Sequence, residues 1–196
     1  IKNNIENKTL IFYTNGLLGS RKSQTYSNFN DFMYNLSYWS SWSNGFNIWK
    51  SEFDKIDKNL KLNKLFPHTS LFLTQHQAKL FCINDNLLFD VQRIPKRGGH
   101  NKFEAFTIEY PSLLDECCKK GHISTKCKKH ILFGIMVQFL PSLLFNKYII
   151  RIETFDDMGF RDNLKKYYPS YAYWLVLISV LGVPFRLFCR KLKNKR

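Results

Sequence analysis

Apolar positions along the chain change their spacing from one region to the next. Phe29, Phe32, Met33, Leu36 and Trp39 recur three and four residues apart, which predicts an aromatic-rich helix with Ser27 as its N-cap. The Ser-Trp-Ser-Asn-Gly stretch at 41–45 breaks that period as a turn. From residue 69 the apolar runs shorten. Ser70–Thr74, Leu80–Ile83, Leu87–Gln92 and Phe103–Tyr110 are rich in Leu, Phe and Ile and lie between turn-like residues, so they predict four strands. Asn84-Asp85-Asn86 would join the second and third as a hairpin, and Pro111 suits the first turn of a helix running through Leu114 and Cys118. The expected fold of residues 1–130 is a small α+β domain with an antiparallel sheet and an N-terminal aromatic helix.

Two uncharged runs follow, Ile131–Phe145 and Tyr171–Phe185. A membrane-spanning helix needs roughly 20 mostly apolar residues, and both runs reach that length only with their edges, the second by extending past Arg186 to Cys189. Their flanks are more telling. Lys126-Cys127-Lys128-Lys129-His130 precedes the first, and Arg190-Lys191-Leu192-Lys193-Asn194-Lys195-Arg196 follows the second. The connection at 151–170 holds four basic and four acidic side chains. Cationic outer ends around a neutral connection are what the positive-inside rule asks of a helical hairpin. Tyr167, Tyr168, Tyr171, Tyr173 and Trp174 would sit at the headgroups on one side of the second span, with Arg186, Arg190 and Lys191 at its other end. Pro141 and Pro184 would kink or end the helices. If only the second run spans, residues 131–196 are a tail anchor rather than a hairpin. The competing reading is a pair of buried core helices, since Gln138, Asn146 and Lys147 are costly in lipid.

Charge sharpens this division. The 196 residues carry 30 Lys and Arg against 15 Asp and Glu, a formal net charge of +15. Residues 1–90 hold ten basic and seven acidic side chains, residues 91–130 nine and four, and the stretch from Arg186 onward six and none. The excess therefore borders the apolar runs. An aromatic content of 16% excludes disorder along the whole length. With 18 Phe, abundant Asn, Lys, Ile and Leu, and Ala only at 78, 105 and 172, the usage resembles that of proteins encoded in very AT-rich mitochondrial genomes, such as those of protists. Ile at position 1 fits cleavage, a fragment or a non-standard start, and residues 1–10 read as neither a secretory signal nor an Arg-rich transit segment. Five cysteines with one adjacent pair suit a reducing compartment better than a disulfide framework. The sequons at Asn7 and Asn35 are expected by chance in so Asn-rich a chain.

Candidate chemistry is sparse. Arg93, Lys96, Arg97 and Lys102 surround Gly98-Gly99, a basic loop able to hold RNA phosphates or to be merely solvated. Cys118, His122, Cys127 and His130 are possible zinc ligands; their second half resembles a zinc knuckle, but the Cys-x2-Cys half is missing. Asp156-Asp157 reads as a turn, and His68, His76 and His100 have no partner at acid–base spacing. The aromatic cluster at 24–53 reads as packing or a protein-partner surface ahead of a base-stacking platform. No catalytic motif occurs, so a non-enzyme without cofactor or metal is expected.

Together these features point to an accessory subunit of a large mitochondrial inner-membrane complex, respiratory or ATP synthase. It would be held by its C-terminal apolar segment, with neighbouring subunits and anionic lipid as partners. The alternative is a mitochondrial ribosomal protein whose segments 93–102 and 119–130 and C-terminal tail contact rRNA phosphates, both apolar runs being its core. A third reading is a fragment of a larger membrane protein. The neutral 151–170 connection favours the first, because RNA binding gives no reason to bracket uncharged runs with cations.

Overall fold

The computed structural model describes residues 8–43, 45–89, 101–154 and 156–194, with side chains described as far as Cys189. These fall into two compact units, one of residues 8–89 with 113–131, the other of 101–112 with 132–194.

The first unit is built on three four-residue strands, β1 (Leu10–Tyr13), β2 (Ser23–Tyr26) and β3 (Phe81–Asn84), in the order β1-β3-β2. β3 runs parallel to β1, with Leu10 opposite Phe81, and antiparallel to β2, with Tyr26 opposite Phe81. The sheet is thus mixed, not antiparallel as expected. The reason lies at the end of β3. Asn84-Asp85-Asn86 does not turn into a hairpin, because the buried Asp85 carboxylate accepts hydrogen bonds from Thr14, Leu18, Ser20 and Arg21 in the loop between β1 and β2. That loop carries the chain from one side of β3 to the other. The most buried strand thereby gains ladder partners on both edges, and polar β2 takes an edge. Leu87–Phe89 is not a strand; the amides of Leu88 and Phe89 donate to Asn15 Oδ1, and residues 90–92 lie outside the described part.

Helix α1 (Phe29–Leu36) follows the first two strands. Its N-cap is Asn28, one residue after Ser27, with the Asn28 side chain accepting from the Asp31 amide at 2.8 Å. The α-helix stops at Leu36, Ser37 has φ 54°, and Trp39 lies in the 3-10 turn Ser37–Ser41. The expected long aromatic helix is therefore a two-turn helix and a tighter turn. Phe29 and Phe32 pack with Phe72 and Phe81 at ring-centroid distances of 5.2–6.0 Å, forming the core against the sheet.

Two predicted strands are helices. Residues 70–74 fall in α2 (Pro67–Leu73) and the 3-10 turn after it. Pro67 presets the first turn, and Thr69, Ser70, Phe72 and Leu73 form one buried helical face. Phe103–Tyr110 lies inside α3 (residues 102–119), whose N-cap Asn101 accepts from the Glu104 amide at 3.0 Å. A short apolar run fits either period, and the caps decide it here. Pro111 consequently stands in the helix interior rather than in its first turn.

The second unit comprises the start of α3, most of α4 (Thr125–Ile149), α5 (Phe160–Tyr167), α6 (Ala172–Val180) and α7 (Val183–Asn194). Its core includes Phe103, Tyr110, Ile135, Leu140, Phe160, Leu164, Tyr168, Ala172 and Val176. Gly159, at φ 74°, supplies the left-handed turn from which α5 starts.

Candidate membrane interface

Two prolines shape the helices of the second unit. Proline has no amide hydrogen, so within a helix the carbonyl four residues earlier loses its usual donor. Pro111 and Pro141 each begin a Pro-Ser-Leu-Leu tetrapeptide, and each is preceded by a wide π turn, Ala105–Glu109 in α3 and Ile135–Phe139 in α4. The amides of Tyr110 and Leu140 bond back five residues, to the carbonyls of Ala105 and Ile135. Side chains from later in the chain then meet carbonyls in these irregular turns. The Tyr168 hydroxyl donates to the Phe106 carbonyl at 2.7 Å. Arg186 Nη1 donates to the Val137 carbonyl at 2.7 Å, the group that Pro141 cannot serve.

Arg186 also bridges a bend. The α6 and α7 axes differ by 53° across the break at Leu181-Gly182, and Arg186 Nη2 reaches the Ser179 carbonyl in α6 at 3.3 Å. A guanidinium in mid-apolar sequence is thus hydrogen-bonded to two backbone carbonyls, which offsets much of its desolvation.

The outer face of the same pair is apolar. Tyr171, Trp174, Ile178, Leu181, Phe185 and Phe188 are 59–82% exposed and succeed one another at alternating three- and four-residue steps across the bend. Ala172, Val176 and Val183, which fall between them, are buried. This is a continuous exposed apolar stripe, the kind of surface that in a protein marks contact with a membrane or a partner. Among the described residues, α4 is the unbroken apolar helix, 25 residues long, and 56% of its most apolar window is buried in the protein.

The residues expected at the interface divide accordingly. Tyr171 and Trp174 are exposed on the stripe. Tyr173 is half-buried beside Phe160, with the Arg161 guanidinium 5.4 Å from its ring. Tyr167 is half-buried, and Tyr168 is buried at 5% exposure, facing α3 through its hydroxyl. Arg190 and Lys191 lie within α7, their side chains outside the described part. Acids of the connection pair with bases of the helices outside it: Glu153, nearly fully buried, with Lys102 of α3 at 3.0 Å, and Asp157 with Lys147 of α4 at 2.7 Å.

Of the candidate phosphate contacts, Arg93, Lys96 and Arg97 lie outside the described residues, and Lys102 is the partner of Glu153. The possible zinc ligands, all in the first unit, are not brought together. Cys118 Sγ is 3.7 Å from Thr125 Oγ1, and Cys127 Sγ donates to the Asn30 carbonyl at 3.6 Å. His130 stacks on Tyr34 at 3.9 Å, and His122 stacks on His76 at 3.5 Å. Among the described residues no three His, Cys, Asp or Glu are grouped to hold a metal ion. Burial, working against the nearby Lys120 charge, pushes the Cys117 thiol up to about 12, so this neighbour is an unreactive core thiol. The His76–His122 stack had no sequence signal, the two being far apart in the chain.

A cavity of ≈ 690 Å³ in the first unit is lined by Lys8, Trp49, Glu52, Lys55, Gln75 and Lys79 among others. Its Glu52 carboxylate lies between Lys8 at 3.2 Å and Lys55 at 2.9 Å, whose hydrogen bonds hold it below the usual carboxylate range. The features sequence reasoning missed are the bend at Leu181-Gly182 and the inward reach of Tyr168 and Arg186, although Pro141 and Pro184 gave a partial signal. No protein-family model, no curated protein and no solved structure matches this chain.

Proposed function

We propose that this chain is a non-catalytic, membrane-anchored accessory subunit of a large mitochondrial inner-membrane complex, of the respiratory or ATP-synthase kind. The observation that carries the reading is the exposed apolar stripe from Tyr171 to Phe188, bordered by the cations that begin at Arg190. A soluble domain has little use for six large exposed side chains in register, whereas a bilayer surface stabilises them and anionic lipid attracts the cations beside them. The mixed-sheet unit then serves as the docking body for neighbouring subunits, and the second unit as the anchor. In isolated membranes the protein is expected to stay in the pellet after alkaline carbonate treatment and, after mild detergent, to migrate with a large complex. Release into the carbonate supernatant would end the anchored reading.

The ribosomal alternative draws on one observation, the extent to which α4 is covered by the protein itself, as a core helix would be. It requires co-sedimentation with ribosomal subunits that survives detergent and is lost on RNase treatment.

A further inference from the structure

Resting on that anchored reading, we propose that α6 and α7 do not cross the bilayer but form a bent interfacial element, with α7 lying along the anionic headgroups of one leaflet. The first argument is length. At about 1.5 Å per residue, the nine residues of α6 rise about 13 Å. The apolar part of α7, Val183–Cys189, is inclined by 53° and adds only about 6 Å along the α6 axis. With about 3 Å for the two-residue break the total is about 22 Å, short of the ~30 Å hydrocarbon core. Extending the span would carry Arg190, Lys191 and Lys193 into hydrocarbon.

The second argument is pattern. Along α7, Phe185, Phe188 and Leu192 recur at helical spacing, and Arg190 and Lys193 fall on a second line offset from it. A helix with an apolar line and a cationic line, free of acidic residues, matches a leaflet whose headgroups are negative and whose boundary is apolar. A transmembrane helix needs no such division. The third argument is the bend itself. Arg186 holds it from inside, through Val137 and Ser179, while Trp174, Ile178, Leu181, Phe185 and Phe188 remain exposed on the outside of both halves. An exposed surface that stays apolar on both sides of a bend suits shallow insertion.

The test uses the full chain in sealed vesicles of phosphatidylcholine doped with phosphatidylglycerol. A membrane-impermeant maleimide is applied from outside, and labelling is read peptide by peptide at Cys189 and at a Ser170→Cys variant, an exposed position just before α6. The expected result is labelling of both positions from the same side. Labelling from opposite sides would overturn the interfacial placement, yet the anchored reading would stand if carbonate still leaves the protein in the pellet. Release by carbonate would end both. In vesicle flotation, the Phe185→Asp/Phe188→Asp variant is expected to lose about tenfold in affinity with its circular dichroism unchanged, since both side chains are exposed. Undiminished binding by that variant, equal binding to pure phosphatidylcholine, or burial of the stripe in a dimer or against a protein subunit would each overturn the proposal.

Discussion

Asp85 shows how one side chain selects a topology. Burial alone would raise its pKa, but the hydroxyls of Thr14 and Ser20 and the amides of Leu18 and Arg21 outweigh burial and hold the carboxyl below its ordinary value. A depressed folded-state pKa contributes stability that is complete above the unfolded value of about 3.9 and is lost as pH falls through the folded value. Asp85→Ala is expected to lower unfolding free energy at neutral pH by about 1–3 kcal/mol, measured by urea denaturation. Asp85→Asn should flatten the loss of stability below about pH 4. This residue also explains why parallel pairing was illegible in the sequence. Its partners are more than 60 positions away, so nothing near Asn84-Asp85-Asn86 distinguishes a loop clamp from a hairpin turn. Asn28 and Asn101 are local by contrast. Each is a legible cap once the helix after it is accepted, and passing over Asn101 is what let Phe103–Tyr110 read as a strand.

At the scale of elements, both apolar runs were legible as helical, but the prolines misled about continuity: the helix runs on through Pro141, and the second run breaks at Leu181-Gly182, just ahead of Pro184. A proline four residues after a carbonyl predicts a missing donor but not what replaces it. Arg186 at Val137 can be tested by a double-mutant cycle. Arg186→Met leaves the Val137 carbonyl without its guanidinium, and Pro141→Ala restores an amide hydrogen to that position of α4. The second change in the Arg186→Met background is expected to recover about 1 kcal/mol relative to its effect in the wild-type chain. Zero coupling, measured by thermal denaturation in detergent, would show that the carbonyl is satisfied independently of Arg186. The same reasoning applies to Tyr168→Phe, which removes the hydroxyl from the Phe106 carbonyl and should cost about 1 kcal/mol.

For the whole molecule, the question is which force would hold it at a membrane or on a ribosome under either proposal. A net charge of +15 makes electrostatic attachment to phosphates available to either functional reading. Attachment by charge alone fails in about 1 M salt, where the Debye length is about 3 Å, whereas apolar insertion does not. We therefore expect a molar salt wash to leave the protein in the membrane pellet; loss to the wash would favour attachment through its cations. Composition and flanking charge made this choice visible from the sequence, and the exposed register of Tyr171 to Phe188 became visible only once the buried face of α6 was known.

The guanidinium of Arg186 has a mechanical corollary. It ties the π turn ahead of Pro141 in one helix to the last turn of another, so the irregularity in α4 and the heading of α7 are not independent variables. A change in α4 that moves the Val137 carbonyl out of reach withdraws one anchorage of the tie and leaves Ser179 as the other. The bearing of the last helix is thus set in part by a single side chain.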